Sequence, residues 1–339
     1  MILAALLACA PSYQGPVAVL ERDGDGGYAV QAANIPDFDA ARVEGPIGRA
    51  LRGGALDAGG YTEGAPLLVR ATAVDGMWVP LDEDGLVIWS FYHHLAAADA
   101  ELAAEADADL SPLWPVTLAW NPVSIYDFAA AENAAYATGA RMFLVMPDAL
   151  PGVPLAANVG VVRHELAHAW FEILITGTAD GPDPTQSGEL WEAQAARALN
   201  EGWADAVAAL SLDDPAFLDD SLDLPDRVLG RPEVAARPSM YPDPDLTTVD
   251  VLIGGYDPYE LGTVYASFAW DLYQIGGDRW ETLRLCAEAM EAWGEAGEWG
   301  DPDGWVLELL ARVPPSQAVA ACAAAADRFP DLETGCPLP

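Results

Sequence analysis

Short apolar runs separated by glycine, proline and aspartate dominate the first 90 residues, a pattern typical of strands joined by tight turns. Residues 23–27 read Asp-Gly-Asp-Gly-Gly, which favours a hairpin turn, although the letters resemble the start of a calcium loop without its remaining ligand positions. We predict a β region over residues 16–85, with strands near residues 17–20, 28–30, 67–69 and 77–79.

The middle of the chain changes from strand to helix periodicity. The apolar residues 86–92 lead into an alanine-rich helix predicted over residues 95–106, with His93 and His94 at its start. Adjacent helical residues face different directions, so a core or surface position is favoured for both histidines over metal binding. Strands follow at residues 116–120 and 141–146.

Helical periodicity dominates the rest of the chain. Helices are predicted near residues 158–175, 189–210, 260–275, 279–296, 302–312 and 316–327. The acidic, proline-rich segment 211–258 is expected to be mostly loop with short helices. The expected fold is α+β, with a β-rich N-terminal half, a helical C-terminal half and a cleft between them. Four segments follow from this: a signal remnant (1–15), the β region (16–85), a sheet with one helix (86–176) and a helical subdomain (177–339).

Residues 6–9 read Leu-Leu-Ala-Cys and resemble the lipobox of a bacterial lipoprotein, in which Cys9 becomes the lipidated first residue. No basic residue precedes the apolar stretch, which departs from a complete export signal. The stretch is too short to cross a bilayer, and a short buried strand or helix is the alternative. We expect an exported lipoprotein of the outer membrane, periplasm or cell surface, with membrane contact only through Cys9.

Charge and cysteine content narrow the partners. The chain has 53 acidic and 15 basic residues, all of the latter arginine, for a net charge of −38, which argues against nucleic acid and anionic membranes as partners. Calcium binding at the acidic stretch 213–226 is less favoured than simple solvation. In an oxidising compartment one disulfide is expected, either Cys322–Cys336 or Cys286–Cys322, with one thiol left over.

The strongest chemical signal is the segment His-Glu-Leu-Ala-His at residues 164–168. On a helix, residues i and i+4 share a face, so His164 and His168 can reach one metal ion. Glu165 can act as a base toward water activated by that ion. Only four histidines occur in the chain, and two lie in this motif. A plain helix with two histidines and no metal is the alternative.

A second segment, Asn-Glu-Gly-Trp-Ala-Asp at residues 200–205, can supply the third metal ligand that the first segment lacks. Two histidines and a carboxylate are an established ligand set for one catalytic Zn²⁺, so Glu201 is the expected third ligand. Asp205, one helical turn later, is expected to accept a hydrogen bond from a ligating histidine.

Together these segments resemble the gluzincin metallopeptidases, specifically the thermolysin–fungalysin group, over about residues 86–300. Residues 133–136, Asn-Ala-Ala-Tyr, are similar to the family segment that leads the strand pairing with substrate. The resemblance implies that Asn133 contacts the peptide backbone and that substrate adds a strand along residues 142–145. From the residues alone, Asn133 serves equally well as a helix or turn cap.

Residues 260–271 are similar to a fungalysin helix that follows a histidine which steadies the oxyanion. Here Tyr259 stands at that place, and no histidine occurs after His168. A tyrosine hydroxyl can donate the same hydrogen bond, with Tyr256 and Tyr265 as competitors and core packing as the alternative for each.

The expected function is therefore zinc-dependent cleavage within exported or extracellular polypeptides. Two alternatives remain open at this point. One is an aminopeptidase on the same ligands, although the Gly-x-Met-Glu-Asn signature of that class is absent. The other is a zincin-fold surface lipoprotein that binds without turnover.

Overall fold

The computed structural model describes residues 13–23, 27–57, 60–124, 134–146, 152–179, 184–186, 188–252, 254–297 and 299–336. Its N-terminal half is rich in strands and its C-terminal half is helical, as the α+β prediction requires. The chain forms two compact units. The first unit comprises Met1–Ala100, Leu113–Glu165 and Asp220–Leu222, and the second Glu101–Pro112, Leu166–Asp219 and Asp223–Pro339.

A four-stranded sheet opens the first unit. Its strands are β1 (Val17–Arg22), β2 (Tyr28–Ala33), β6 (Ala71–Val74) and β7 (Met77–Pro80), in the order β2-β1-β7-β6. β1 and β2 pair antiparallel, which confirms the predicted hairpin, and the Asp23 N–H donates to the Gly27 carbonyl at 2.7 Å. Residues 24–26 of this turn lie outside the described residues.

A seven-stranded sheet follows. It contains β3 (Glu44–Gly45), β4 (Gly48–Asp57), β5 (Gly60–Pro66), β8 (Val116–Trp120), β9 (Val123–Ser124), β10 (Ala134–Ala137) and β11 (Met142–Val145). The main order is β10-β11-β8-β4-β3. The strand predicted at residues 67–69 is wrong, because the Leu67 and Val69 N–H groups donate singly to Ala50 and Ala41 without forming a ladder.

β10, not β11, lies at one end of the strand order in this sheet. β11 pairs with β10 on one side and with β8 on the other. The expectation that substrate adds along residues 142–145 is therefore wrong, because both sides of β11 are already hydrogen-bonded. Among the described strands of this sheet, β10 ends the order beside β11, and the backbone N–H of its residue Tyr136 donates to Glu165.

The helix α1 (Glu83–Glu105) begins twelve residues before the predicted start at 95. Ile88, Trp89, Phe91, Tyr92 and Leu95 are all fully buried. A helix that is apolar around its circumference lacks the one-sided periodicity of a surface helix, so the hydrophobic pattern did not predict the first half of α1. His93 and His94 consequently lie in mid-helix.

Six further helices agree with prediction to within two residues at each end. They are α2 (Val159–Thr176), α3 (Leu190–Leu212), α5 (Pro258–Gly276), α6 (Arg279–Ala296), α7 (Asp303–Arg312) and α8 (Ala318–Arg328). The short α4 (Thr248–Leu252) lies in the segment predicted to be loop with short helices, as expected. Local signals fix their starts. The Asp257 carboxylate accepts the Tyr259 N–H at 2.9 Å with Pro258 at the first helical position, and Asp278 caps α6 in the same way.

α3 and α5 approach closely in the second unit because each contributes a glycine to their crossing. A Cβ atom on Gly202 would lie 2.5 Å from the Gly262 carbonyl oxygen and 2.9 Å from Cβ of Tyr265. A Cβ on Gly262 would lie 2.9 Å from the Ala198 carbonyl oxygen. The absence of both methyl groups therefore sets the distance at which α3 lies against α5.

The C-terminal tail is tied to α8 by a disulfide. Cys322 and Cys336 form the bond, one of the two pairings that the sequence left open. Cys286 is buried as a thiol, and burial raises its pKa. Of the helices in the described part of the chain, none has the length and apolar character that a membrane crossing requires.

Candidate metal centre

α2 places the predicted histidines on one helical face. The ligand atoms of His164, Glu165 and His168 all lie within 4.8 Å of one another. The helix is held by apolar neighbours in the sequence, including Val162, Leu166, Ala167 and Ala169, which are all fully buried. Four ionisable side chains of α2 are buried as well: Arg163, His164, Glu165 and Glu172.

His168 is oriented by α3 within the second unit. Its Nδ1 lies 2.9 Å from Oδ1 of Asn200. Since an amide oxygen only accepts hydrogen bonds, Nδ1 carries the proton and Nε2 carries the lone pair. That Nε2 atom lies 3.6 Å from Oε2 of Glu201. Consecutive residues of α3 therefore fix the tautomer of the histidine and bring a carboxylate beside its lone pair.

The donor set fits a zinc ion. Two ligands on a tetrahedral zinc are about 3.3 Å apart, given bond lengths of about 2.0–2.1 Å. The distance of 3.6 Å between His168 and Glu201 is close to that value. Imidazole nitrogens with one carboxylate suit zinc and its transition-metal neighbours, whereas calcium and magnesium prefer oxygen ligands throughout.

Glu165 contacts the sheet edge in the first unit. Its Oε2 accepts a hydrogen bond of 2.6 Å from the backbone N–H of Tyr136 on β10. The side chain is buried, and this bond fixes the orientation of the carboxylate. Sequence analysis missed the contact because it depends on how β10 lies against α2. Asn133, the predicted substrate contact, lies outside the described residues.

Asp205 is held by an arginine that sequence analysis did not single out. Nε of Arg227 donates to Oδ2 of Asp205 at 3.2 Å, and Nη2 donates to Oδ1. Arg227 closes the 3₁₀ turn Pro225–Arg227, in a loop with no periodic signal. Burial alone would lower the pKa of Arg227, but the Asp205 carboxylate, with Tyr259 and Glu201, raises it, so the guanidinium stays charged. The predicted bond from a ligating histidine to Asp205 stays a prediction.

Tyr259 lies under this guanidinium. Cζ of Arg227 is 4.5 Å from the centroid of the Tyr259 ring, within the range of a cation–π contact. The competing tyrosines are engaged elsewhere. The Tyr265 hydroxyl donates to Asp303 at 2.7 Å, and the Tyr256 hydroxyl donates to the Gln194 carbonyl at 3.3 Å. Of the three candidates for oxyanion stabilisation, Tyr259 is the one that lies beside Arg227 and lines the cavity described next.

A cavity of about 930 Å³ adjoins Arg227 and Tyr259 in the second unit. It has room for several residues of a peptide. Its lining mixes arginines with acidic and polar side chains, among them Arg231, Arg237, Glu260 and Thr263. Three arginines and five carboxylates line this cavity, so it carries no excess of positive charge.

A scan of the chain against protein-family models finds no match, and a search of curated proteins finds no matching sequence.

Proposed function

We propose that this protein is a zinc-dependent endopeptidase with a thermolysin-like arrangement of ligands. One observation carries the proposal. His164, Glu165 and His168 offer ligand atoms within 4.8 Å of one another, and Glu201 lies 3.6 Å from His168. His164, His168 and Glu201 would hold the ion, and Glu165 would remain beside it as the base.

When bound, zinc supplies Lewis acidity, which polarises a carbonyl and makes water acidic enough to ionise near neutral pH. Glu165 accepts the proton from the attacking water and later passes it to the leaving amine. The Tyr136 N–H holds Glu165 in the orientation for both transfers. The same strand, β10, ends the sheet and would add the peptide as a further strand, with the Tyr136 N–H left to Glu165 rather than to the peptide.

Other side chains position the reacting groups. Asn200 keeps the lone pair of His168 on Nε2, which is the nitrogen nearer Glu201. Tyr259 donates its hydroxyl proton in a hydrogen bond to the developing oxyanion. Arg227, paired with Asp205, restrains the Tyr259 ring and adds positive charge on that side. These assignments follow from contacts within the second unit.

The disulfide supports action outside the reducing cytoplasm. Bonds such as Cys322–Cys336 form and persist in oxidising compartments. With the lipobox-like residues 6–9, it supports the proposal that the protein is exported, is anchored through Cys9 and meets extracytoplasmic polypeptides.

The test pairs two Glu→Gln variants on the same helix. Glu165→Gln removes the base, and Glu172→Gln changes another buried carboxylate of α2 as a matched control. Zinc content and cleavage of a peptide library are measured for both. We expect Glu165→Gln to keep the zinc content of the unaltered protein and lose about 10²–10⁴-fold in kcat, because general acid–base catalysis contributes that range. Glu172→Gln should keep both properties.

The same digest separates the alternatives. Release of single residues from peptide N-termini would identify an aminopeptidase. Zinc bound at the α2 histidines without hydrolysis of any peptide would identify a binding protein. Full activity in zinc-loaded Glu165→Gln would contradict the assignment of the base.

A further inference from the structure

The two histidines outside the α2 motif also lie beside a glutamate. His93 and His94 are in the middle of α1, and Glu21 is near the end of β1, all within the first unit. Their ligand atoms lie within 4.8 Å of one another, and the two imidazole centroids are 5.4 Å apart. Each of the four histidines of the chain therefore belongs to a His-His-Glu group.

His94 is prepared to act as a ligand. It is almost fully buried, and its Nε2 lies 2.8 Å from the Leu20 carbonyl oxygen. A carbonyl only accepts hydrogen bonds, so Nε2 carries the proton and Nδ1 carries the lone pair. Burial, only partly opposed by Glu21, lowers the pKa of His94 to about 4. The ring is neutral at pH 7, as a metal ligand must be.

His93 and Glu21 form the accessible side of the group. His93 Nε2 and Glu21 Oε1 are 2.5 Å apart, and their side chains keep 19% and 30% of their exposure. The hydrogen bond to His93 is the main cause of a lowered pKa for Glu21, so this carboxylate is charged at neutral pH. An ion in solvent can therefore reach two of the three groups directly.

We propose that Glu21, His93 and His94 form a second metal site, for zinc or a similar divalent transition metal, that joins β1 to α1. Ligands on a tetrahedral ion are about 3.3 Å apart. His93 and Glu21 therefore separate slightly, while the wider distances in the group close. The ion replaces the proton between them, which moves to Nδ1 of His93 or leaves to solvent. The carbonyl of Leu20 orients His94 in the way that outer contacts orient zinc-binding histidines.

One nearby cation sets the expected strength. Arg163 of α2 lowers the pKa of both Glu21 and His94, which favours their ligating forms, but its charge also repels a metal ion. We therefore expect this site to bind more weakly than the α2 histidines, so that two equivalents of metal bind in sequence.

The test counts metal ions in the full-length protein after removal of metal by a chelator. Zn²⁺ is titrated by calorimetry, and Co²⁺ by its visible absorption. The unaltered protein should bind two equivalents, and the double variant Glu21→Gln with His93→Gln should bind one. His168→Gln, which alters the α2 group alone, should also bind one. Glu83→Gln, at an exposed carboxylate at the start of α1, should bind two.

Thermal unfolding provides a second readout, because added metal would not change Tm if Glu21 and His93 formed only a hydrogen-bonded pair. Metal bound at Glu21, His93 and His94 should raise Tm in the unaltered protein and in His168→Gln. The Glu21/His93 double variant lacks this site, so the same binding step should leave its Tm unchanged. A single equivalent that is lost in His168→Gln and retained in the double variant would overturn the inference. A single equivalent with the opposite behaviour would support it and count against the α2 site instead.

Discussion

The crossing of α3 and α5 offers a direct test of how Glu201 is positioned. Gly202 follows Glu201, and a methyl group there would lie 2.5 Å from the Gly262 carbonyl oxygen. A Cβ essentially never lies within 3.0 Å of such an atom, so Gly202→Ala must push α3 and α5 apart by about half an ångström. The displaced segment carries Glu201.

The expected magnitude combines two opposing effects. Overpacking of a close contact costs about 1–3 kcal/mol, and the contact with backbone places Gly202→Ala in the upper part of that range. Alanine in place of glycine in a helix interior returns about 1 kcal/mol. The free energy of unfolding should therefore fall by about 1–2 kcal/mol, and Tm by about 2–8 °C for a unit of this size. Zinc affinity should fall as well.

The measurement is urea denaturation followed by circular dichroism and tryptophan fluorescence, with a zinc titration of the folded protein. Gly276→Ala is the matched control in α5. A Cβ on Gly276 meets only the end of the Gln317 side chain, at 3.2 Å, and that flexible group can move. This variant should be as stable as the unaltered protein or slightly more so. If Gly202→Ala proves equally stable and binds zinc normally, the close crossing does not position Glu201.

Three further predictions follow from single contacts. Asn200→Ala removes the acceptor at Nδ1 of His168 and should weaken zinc binding by about 10–100-fold in a competition titration. The control Asn200→Asp keeps the acceptor and should keep the zinc affinity. Equal zinc affinities for the two variants would contradict the orienting role of Asn200. Replacing both Cys322 and Cys336 by serine should lower the free energy of unfolding by up to about 3 kcal/mol, because the disulfide closes a loop of 14 residues. A reductant should lower the stability of the unaltered protein by the same amount and should not change that of the variant. The folded-state pKa of His94, about 4, lies below its ordinary value of 6.5, so its contribution to stability is complete above pH 6.5 and is lost as the pH falls toward 4. That loss is up to about 3 kcal/mol, and metal-free His94→Gln should lack this part of the acid dependence; parallel stability curves for the two proteins would contradict it.

The helices could be predicted because their signals are local. Asp257 and Asp278 cap the starts of α5 and α6, and Gly277 and Gly297 end them in the left-handed conformation. Each of these residues acts within one turn of its own helix, so sequence spacing alone identifies it.

Strands were harder to predict because their partners are distant in sequence. β4 and β5 contain glycines where an apolar alternation would be expected, and β4 owes its place to parallel pairing with β8. Pairing with a strand distant in sequence produces no pattern in the residues of the strand itself. The opposite error occurred at residues 67–69, which are apolar because Leu67 and Val69 are buried, without belonging to a strand.

The candidate site also has one part that the sequence predicts and another that it does not. The face shared by His164 and His168 follows from helix geometry, and the short distances within their group depend on α2 alone. The contacts of Glu165 with Tyr136 and of Asp205 with Arg227 join elements far apart in the chain. The second His-His-Glu group was missed for that reason, since Glu21 reaches His93 from a different element.

The buried ionisable groups of α2 have a consequence for protein production. Arg163, His164, Glu165 and Glu172 are all removed from water when the chain folds, and this desolvation opposes folding. An ion that binds only the folded form offsets part of that cost and shifts molecules from the unfolded to the folded population. If zinc binds as proposed, cells grown with little zinc should therefore accumulate less of this protein in folded form, whether or not a substrate is ever present.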